Sequence, residues 1–384
     1  MGIDVEVVCA PPSIINPHGS VPRYMEYHDI RIRRVWATSF PKLNFVGRIV
    51  NQLTYAMSVF YYFLFYRERR PILVLTNPPF LAFFCALLKK IKIGNPYIYV
   101  IFDVYPDTAI NVGVLNKYGL LCRLWERVNK ISFEHASNII VIGRCMKNII
   151  ESKMSKYGIK SNNKVQMIHV WSDDRRIQVN KSEKKQFFQE WGLEGKFVVL
   201  YSGNMGRFHD METIMSAVKE LSDFEDIAFL FVGEGHKKSW MMAYAQKNNL
   251  LNCKFHSYVK REDLGDLLAS AEIGLVSLMN GQEGLSVPSK AFGLMAAGLP
   301  VIGIMSSSSE IATIISDENC GIVIKPGDFE GLRDEILSLY NDRQRLREMG
   351  KNSRRAIDEK YNLKTAAIAY FELIINCNKQ IHGG

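Results

Sequence analysis

A lysine stands at the start of a predicted helix in the stretch EGLSVPSKAFGLMAAGLPVIG, residues 283–303. Pro288 suits the first turn of this helix, Ser286 or Ser289 could cap it, and the Gly-Leu-Pro that follows would end it. Lys290 then lies where the helix carries partial positive charge, which costs roughly a few tenths of a kcal/mol. A phosphate docked at this position would explain the lysine. The plainer alternative is a solvated surface lysine.

Two glycine turns in the second half of the chain directly follow predicted strands. Gly203 and Gly206 lie in VVLYSGNMGRFHDMETIM, and Gly233 and Gly235 lie in FLFVGEGHKK. Small residues there let backbone N–H groups approach a phosphate, although glycine after a strand is often only a turn residue. Such loops meet at the carboxyl edge of a parallel sheet, where these sheets bind ligands. Together with the Lys290 helix, they predict a site for a nucleotide pyrophosphate.

Short apolar runs alternate with longer amphipathic segments along almost the whole chain, the pattern of parallel sheets with crossover helices. The predicted strands are VEVVCA, PILVLT, YIYVIF, NIIVIG, VQMIHV, FVVLYS, IAFLFVG, EIGLVSL and LPVIGI. A chain of 384 residues exceeds one ordinary core, and a polar, charged stretch begins at Ser172. We therefore predict an α/β protein with a first domain over residues 1–178, a second over 179–363, and a helix over 364–384 that packs back toward the first.

The composition is that of a globular protein, with 47% hydrophobic and 23% charged residues. The seven cysteines are scattered and contain no C-x-x-C pair, so neither a disulfide framework nor a thiolate metal site is indicated. A reducing cytoplasm fits this usage. The start, MGIDVEVVCAPP, reads as a strand and not as a secretory signal.

Positive charge is concentrated in the first quarter of the chain. Residues 1–100 contain twelve Lys/Arg and five Asp/Glu, which is +7 of the net +9, and this asymmetry predicts an anionic partner. The apolar, aromatic run from Phe45 to Tyr66 has basic residues on both sides. They are Arg31, Arg33, Arg34 and Lys42 before it, and Arg67, Arg69 and Arg70 after it.

The uncharged part of this run, Leu53 to Tyr66, is shorter than the about 18 residues that a spanning helix needs. We interpret the run as a helix lying on an anionic membrane surface. A buried core helix with a basic rim is the alternative. Nucleic acid is not expected as a partner, because no recognised binding module accompanies the basic residues.

Seven segments together resemble a retaining glycosyltransferase of the GT-B fold, in family 4. They are PILVLTNPPF, FDVYPDTAINVG, FEHASNIIVIG, VVLYSGNMGRFHDMETI, FLFVGEG, DLLASAEIGLVSL and VPSKAFGLMAAGLPVIG. The resemblance extends from Val5 to Tyr361, and the subgroup is similar to bacterial transferases that add amino sugars during O-antigen, capsule or colanic acid synthesis. It implies two Rossmann-like domains facing a central cleft, with the acceptor on the first and a nucleotide diphosphate sugar on the second. It also implies catalysis without a bound metal or other cofactor.

For the donor diphosphate, the resemblance implies basic residues on the loop after the first strand of the second domain. Ungapped alignment places Asn204 and His209 where the family commonly has Arg and Lys. Arg207 lies between them and could supply the missing charge, and Lys290 would supply more. The predicted donor-binding residues also include Gly203, Gly233 and Ser289.

The paired glutamates of the family are altered in this chain. Glu283 could be the first, which lies near the donor sugar, although its spacing differs from the common pattern by two residues. Gly293 stands where the ribose-binding glutamate is usual. Glu310 is a further candidate for donor contact, with an exposed helix-start glutamate as the alternative.

In the first domain, the family often has a His-Asp pair facing the reacting centre, and here the pair is Phe102 and Asp103. The resemblance implies that Asp103 orients the acceptor hydroxyl or accepts its proton. A loop-capping carboxylate is the alternative, and Asp107 shares this ambiguity. In retaining enzymes of this class the donor phosphate is thought to help take the proton, so a protein base is not required.

Members of the family open with a strand, a glycine-rich loop and a helix before the segment that MGIDVEVVCA resembles. Without that central strand, the sheet would have two unpaired edges. We therefore expect an upstream extension of the reading frame, a rebuilt fold or a partner chain that fills the gap.

The function predicted on this basis is transfer of an N-acetylated hexosamine from a UDP-sugar to a polyprenyl-diphosphate-linked acceptor, on the inner face of the plasma membrane. The alternatives are a non-catalytic subunit that partners a second transferase and a nucleotide-sugar epimerase. The membrane-type helix argues against the epimerase.

Overall fold

A computed structural model describes residues 2–11, 21–40, 45–66, 68–91, 94–172, 177 and 189–382 of the chain. The predicted domain boundary at residue 178 lies outside these residues, as do Lys42 and Arg67 of the basic flanks. The boundary therefore stays a prediction.

The first half of the chain forms two sheets and a layer of helices. Its strands are β1 (Glu6–Cys9), β2 (Tyr24–Tyr27), β3 (Ile30–Arg34), β4 (Ile72–Leu75), β5 (Tyr97–Ile101), β6 (Asn138–Val141) and β7 (Val165–Met167). Its helices are α1 (Phe45–Leu64), α2 (Leu81–Lys90), α3 (Asp107–Asn111), α4 (Leu120–His135) and α5 (Arg144–Lys156). The strand order is β1-β3-β2 in the small sheet and β4-β5-β6-β7 in the larger, all-parallel sheet.

The two sheets lie side by side without pairing to each other. Arg70, just before β4, donates to the carboxylate of Asp4, just before β1, over 2.8 Å. The facing edges of β1 and β4 have no strand partner among the described residues. Val7 and Leu73 on these strands are about two-fifths exposed, whereas the central strand β5 is buried throughout.

The second half of the chain forms one six-stranded parallel sheet in the order β10-β9-β8-β11-β12-β13. Its strands are β8 (Phe197–Ser202), β9 (Ile227–Val232), β10 (Cys253–His256), β11 (Ile273–Ser277), β12 (Val301–Ile304) and β13 (Gly321–Ile324). Its helices are α6 (Met211–Glu220), α7 (Lys238–Lys247), α8 (Leu264–Ala269), α9 (Lys290–Ala296), α10 (Glu310–Glu318), α11 (Phe329–Asn341) and α12 (Arg343–Glu359). Strand order reverses between β8 and β11, and such a switch point opens a crevice at the carboxyl edge of the sheet.

A last helix, α13 (Leu363–His382), returns to the first half of the chain. Its residues Leu373 and Cys377 share a buried apolar cluster with Ile98, Val100 and Ile140 of strands β5 and β6. The helix therefore covers one face of the larger sheet of the first half.

All nine predicted strands are present, and the α/β fold with two Rossmann-like sheets is confirmed. The predicted helix of residues 283–303 is shorter than expected and covers Lys290–Ala296. Ser289 occupies its N-cap position without making a side-chain capping bond. Ser286 is not a cap, because its backbone forms an antiparallel bridge with Asp103 in the first half.

Helix α1 has one buried face and one exposed apolar face, so it is not a fully buried core helix. Ala56 and Val59 are buried, and the hydroxyl of Tyr55 donates to the carbonyl of Val8 over 3.0 Å. The opposite face carries apolar side chains at every fourth position. They are Ile49, Leu53, Met57 and Tyr61, and Phe65 continues the row just after the helix. Within the described ranges, no helix has the length and apolar character needed to cross a membrane.

Candidate functional site

The predicted donor loops meet at the point where the second sheet reverses its strand order. The loop after β8 begins at Gly203, and the loop after β11 passes beside it, since the N–H of Met279 donates to the carbonyl of Phe208 over 2.8 Å. The loop after β9 joins them through the N–H of Met205, which donates to the carbonyl of Glu234 over 2.8 Å. Three strand-end loops therefore converge on one crevice.

Lys290 reaches into this crevice from the start of α9. Its Nζ donates to the hydroxyl of Tyr201 over 2.5 Å and to the carbonyl of Asn204 over 3.2 Å, and it lies 4.0 Å from the centre of the Tyr201 ring. No carboxylate pairs with it among the described residues. Burial lowers the pKa of Lys290 to about 7, because the charged ammonium loses water without gaining a counter-charge. The site therefore favours an anion beside Lys290.

Two glycines at the edge of the crevice, Gly203 and Gly233, are required by the backbone and by close neighbours. A Cβ on Gly233 would lie 2.1 Å from the carbonyl oxygen of Gly203, and both residues have positive φ. Their N–H groups are already bonded within the sheet edge, to the carbonyls of Val232 and His256. The close packing of the loops accounts for Gly233, and the positive φ with the Lys290 side chain 3.3 Å from a Cβ accounts for Gly203. The N–H groups of the two glycines do not point freely to a ligand.

The other predicted cation and its neighbours surround the crevice. Arg207 is exposed and has no ion-pair partner in the described part of the chain. His209 lies close enough to Lys290 that burial, together with the positive charges of Lys290 and Lys237, lowers the pKa of its imidazole to about 3. The ring is therefore neutral and accepts the N–H of Gly206 at Nδ1 over 3.0 Å. His209 contributes a polar group to the crevice, but not the charge of the lysine usual at this position.

Two further lysines lie at this edge, in the segment FLFVGEGHKK, and the sequence analysis did not predict them as site residues. The Nζ of Lys237 donates to the carbonyl of His209 over 2.8 Å, and it pairs with Glu212. Lys238 donates to the carbonyl of Gly233 over 2.8 Å and pairs with Glu234. Lys237 and Lys238 both have carboxylate partners. Of the three lysines, Lys290 is therefore the one whose charge no described carboxylate neutralises.

Asp103 lies at the end of β5, where the two halves of the chain meet. Its backbone bridges that of Ser286, and the N–H of Val104 donates to the carbonyl of Leu285 over 2.9 Å. Its carboxyl has no hydrogen-bond or ion-pair partner among the described residues. Burial raises the pKa of Asp103. The boundary between the two halves therefore holds a carboxyl group without a described partner, next to the segment of Ser286.

Asp107 differs from Asp103 because it is neutralised inside the first half. Its carboxylate lies 2.7 Å from the Nζ of buried Lys153, which also pairs with Glu126 over 2.8 Å. The role of Asp107 in the structure is therefore to hold α3 against α4 and α5.

Glu283 and Ser289 lie at the two ends of the short segment between the crevice and α9. Glu283 is half-buried. Burial, with a smaller contribution from the nearby charge of Glu283, raises the pKa of the Cys145 thiol in α5. The next residue, Gly284, packs directly on the backbone of Cys145. Ser289 is exposed beside Lys290. Gly293 faces Ile177 and offers no polar group for a ribose.

The structure places Glu310 in a contact between the two halves of the chain, and its predicted contact with the donor stays a prediction. Its buried carboxylate accepts the backbone N–H of Arg144 over 2.5 Å and the Nε of Arg144 over 3.1 Å. His169 lies 3.7 Å from the same carboxylate, and burial together with the charge of Arg144 lowers the pKa of that imidazole. Arg144 and His169 were not selected from the sequence, because no local pattern marks them.

Metal-ligating side chains do not cluster in the described part of the site. Across the described residues, no three His, Cys, Asp or Glu side chains come together in a way that could hold a metal ion. The expectation of metal-free catalysis stays a prediction.

Comparison with known proteins gives the family of the chain. The family described as "Glycosyl transferases group 1" matches residues 183–356, which include the crevice and α9. The protein described as "Probable glycosyltransferase WbjE" of Pseudomonas aeruginosa is 30% identical over 280 residues, covering 71% of this chain and 68% of that protein. The "Putative colanic acid biosynthesis glycosyl transferase WcaI" of Escherichia coli K12 is 25% identical over 347 residues, covering 86% and 83%.

The fold is also similar to that of a solved structure. Alr3699/HepE of Anabaena, crystallised in complex with UDP-glucose, superposes with a TM-score of 0.66 over 93% of this chain and 86% of that one. The sequence identity is 14%, so this likeness concerns the fold alone.

Proposed function

This chain belongs to the group 1 glycosyl transferases, and on that premise we propose that it moves an N-acetylated hexosamine from a UDP-sugar to a polyprenyl-diphosphate-linked acceptor. The reaction belongs to the synthesis of a bacterial surface polysaccharide and takes place with retention at the anomeric carbon, as in family 4. The relative named for colanic acid biosynthesis supports the polysaccharide role. The likeness to a fold that holds UDP-glucose in Anabaena supports a nucleotide-sugar donor.

The observation that carries the proposal is the environment of Lys290. Lys290 is half-buried at the switch point of the second sheet, its ammonium lies beside the loop of Gly203 and Asn204, and no carboxylate neutralises it among the described residues. A diphosphate placed there would restore the full charge of the lysine and be stabilised by it. We assign the donor diphosphate to Lys290, with Arg207 as a second cation and with Asn204 and His209 as polar contacts.

In our proposal the acceptor binds to the first half of the chain, across the boundary from the donor site of the second half. Asp103 offers a carboxyl of raised pKa beside Ser286, and Glu283 lies three residues before Ser286. In our proposal Asp103 orients the acceptor hydroxyl, and Glu283 lies near the donor sugar. The phosphate oxygen that leaves with UDP helps to take the proton of the acceptor hydroxyl, so that a protein base is not required.

The membrane side of the proposal depends on α1. Its exposed apolar row runs along the helix, and Arg33 and Arg34 of the neighbouring strand lie beside it in an open groove of about 710 Å³. A helix with an apolar face and neighbouring arginines can lie in the interface of an anionic membrane. We propose that the protein works as a peripheral protein on the inner face of the plasma membrane.

The test is transfer of label from a panel of UDP-sugars into lipid extracted from bacterial membranes, with UDP binding measured in parallel. Lys290→Ala should lower UDP affinity by about tenfold to a hundredfold, because one charge-assisted contact is worth roughly 1.5–3 kcal/mol. Lys254→Ala is the matched control, since Lys254 is exposed on the edge strand β10. The donor assignment is wrong if the two variants bind UDP equally well.

A second candidate function is supported by Gly293. Because that position faces Ile177 instead of offering a polar group, the chain could serve as a non-catalytic subunit of another transferase. UDP binding without transfer, together with copurification of a second transferase chain, would favour this role. Sugar transfer by the isolated protein would remove it.

A further inference from the structure

The start of helix α4 exposes a cluster of large apolar side chains. Leu120, Leu121 and Leu124 are 80%, 67% and 54% exposed. Val114 and Tyr118, in the loop before the helix, are also exposed. We call these five residues the leucine surface. Single exposed apolar residues are ordinary, but a contiguous group of this kind marks an interaction site.

The exposure of these leucines is imposed by the way α4 packs. The opposite face of the helix is fixed in the first half: Trp125 stacks on Tyr105 with ring centres 5.5 Å apart, and Asn129 donates to the carbonyl of Tyr105 over 2.7 Å. Cys122 is buried on this inward face. Because Cys122, Trp125 and Asn129 hold the inward face of α4 in place, the helix cannot rotate to bury its leucines.

The loop before α4 is also ordered by its own hydrogen bonds. The N–H of Tyr118 donates to the side-chain oxygen of Asn116 over 2.9 Å, and the N–H groups of Val114 and Leu115 both donate to the carbonyl of Ala109. Val114 and Tyr118 are therefore presented on a fixed loop next to the three leucines.

Positive charge surrounds the leucine surface. Between residues 112 and 131 the sequence has four Lys/Arg and one Asp/Glu. The four are Lys117, Arg123, Arg127 and Lys130, all exposed. The single acid, Glu126, is turned inward and pairs with Lys153 over 2.8 Å. None of the four cations has a carboxylate partner among the described residues, so this face combines apolar groups with unneutralised positive charge.

The loop that leads into the leucine surface starts at the boundary between the two halves. Helix α3 ends at Asn111, whose side chain donates to the carbonyl of Gly281 over 2.6 Å. Val114 follows three residues later, at most about 11 Å further along the chain. The same short stretch of chain leads from Asp103 through α3 to the leucines.

We propose that the leucine surface inserts into the interface of an anionic lipid bilayer and thereby brings a lipid-linked acceptor to the boundary beside Asp103. Exposed leucines next to arginines and lysines are the chemistry that such an interface binds. This inference rests on the proposed transfer to a lipid-linked acceptor. It adds a second membrane contact to that of α1, and α2 packs between α1 and α4, so the three helices belong to one layer.

The first experiment measures binding of the full chain to vesicles of phosphatidylethanolamine and phosphatidylglycerol, with vesicles of phosphatidylcholine for comparison. The triple variant Leu120→Ser, Leu121→Ser, Leu124→Ser should bind the anionic vesicles more than about tenfold more weakly. The matched control is Phe224→Ser, Met242→Ser, Leu251→Ser, which removes three exposed apolar side chains from the second half and should change nothing. Arg123→Glu with Arg127→Glu should remove the preference for anionic lipid.

A second measurement guards against a folding defect and locates the contact. UDP affinity of the triple variant should equal that of the unaltered chain. Hydrogen exchange of residues 114–124 should slow on addition of anionic vesicles, while that of residues 240–251 should not. Transfer to a lipid-linked acceptor should fall by more than about tenfold in the triple variant, while transfer to a short-chain, water-soluble acceptor is kept.

The outcomes separate this inference from the proposed function. Unchanged vesicle binding and lipid transfer in the triple variant would overturn the role of the leucine surface and leave the transferase in place. Leucine-dependent vesicle binding without any sugar transfer would support the surface and reject the function. Leucine-dependent self-association, with no effect of vesicles, would mean that a second copy covers this face and would overturn the membrane contact.

Discussion

Arg144 and Glu310 are hydrogen-bonded through both backbone and side chain, although they lie 166 residues apart in the sequence. Glu310 is buried and begins helix α10, whereas Arg144 begins helix α5 of the first half and also pairs with the exposed Asp317. The carboxylate thus satisfies a backbone N–H at the start of α5 that has no partner within that helix. This bond is one of the contacts that hold the two halves together, beside the Asp103–Ser286 bridge and the bond from Asn111 to Gly281.

Removing the Glu310 carboxylate should therefore weaken the contact between the halves. We expect Glu310→Ala to lower the free energy of unfolding by about 2 kcal/mol, because it removes the partner of the backbone N–H at the start of α5 and of the half-buried Arg144 side chain. Urea unfolding followed by circular dichroism measures this change. Asp317→Ala is the control and should stay within about 0.5 kcal/mol, because that ion pair is exposed.

The same pair of variants tests the sequence-based prediction that Glu310 contacts the donor. If Glu310 acts only between the halves, Glu310→Ala keeps the UDP affinity of the second half. If Glu310→Ala has normal stability but reduced affinity for a UDP-sugar, our interpretation is wrong and Glu310 contacts the donor.

UDP binding should become weaker as pH rises from about 7 to about 9. The pKa of Lys290 is lowered to about 7 in the free protein, and a bound diphosphate favours the charged form and raises that pKa. Binding therefore takes up a proton between the two pKa values, and affinity can fall by at most about tenfold per pH unit. The phosphates of UDP add little in this range, because a terminal phosphate has its second pKa near about 6.

Lys290→Arg provides the control for this pH dependence. A guanidinium stays charged throughout the range, so titration calorimetry should show a nearly constant affinity for the variant. His209 does not contribute, because its pKa of about 3 keeps it neutral above pH 7. Equal slopes for the unaltered chain and Lys290→Arg would show that another group controls binding.

The sequence predicted much of the fold, because parallel strands in a sheet core are short, continuous apolar runs. It missed β2 and β3, since the segment Tyr24–Arg34 is charged and mostly exposed. It also missed β10 and β13, of four residues each, which lie at the two edges of the second sheet. β10 (CKFH) carries a lysine and a histidine, so it lacks the continuous apolar run by which the other strands of this sheet were predicted.

The candidate site was predictable to the extent that it follows from sheet topology. Lys290 and Asn204 come together because their loops leave neighbouring strands at one edge. The contact between Arg144 and Glu310 depends on how two separate sheets pack, which no local pattern encodes. Ser286 shows the same limit: read locally it resembles a helix cap, but its backbone pairs with Asp103 of the other half.

Asp103→Asn should impair transfer without impairing donor binding. If the carboxylate orients the acceptor hydroxyl or accepts its proton, the rate of label transfer should fall by about 10² to 10⁴, and UDP affinity should be unchanged. Burial raises the pKa of Asp103, so the rate of the unaltered enzyme should fall on acidification through that raised pKa, where the carboxylate becomes protonated.

The control for Asp103 is Asp107→Asn. That substitution removes one of two carboxylates around Lys153, so we expect lower stability with a nearly normal rate per folded molecule. A full rate for Asp103→Asn would assign the proton transfer to the donor phosphate alone.

Gly233→Ala should disturb the crevice through the contact of two loops. The added Cβ would lie 2.1 Å from the carbonyl oxygen of Gly203, at a φ of +140°, so both the backbone conformation and the space oppose it. We expect a loss of more than about 2 kcal/mol in the free energy of unfolding, together with weaker UDP binding, because the loop of Gly203, which lies against Lys290, must shift.

The comparison that isolates the contact is Gly113→Ala. Gly113 also has a positive φ, of +72°, but a Cβ there would have no neighbour within 4 Å. Its cost should be limited to the backbone conformation, about 1 kcal/mol. If the two variants lose equal stability and bind UDP equally well, the contact between the loops does not hold the crevice in shape.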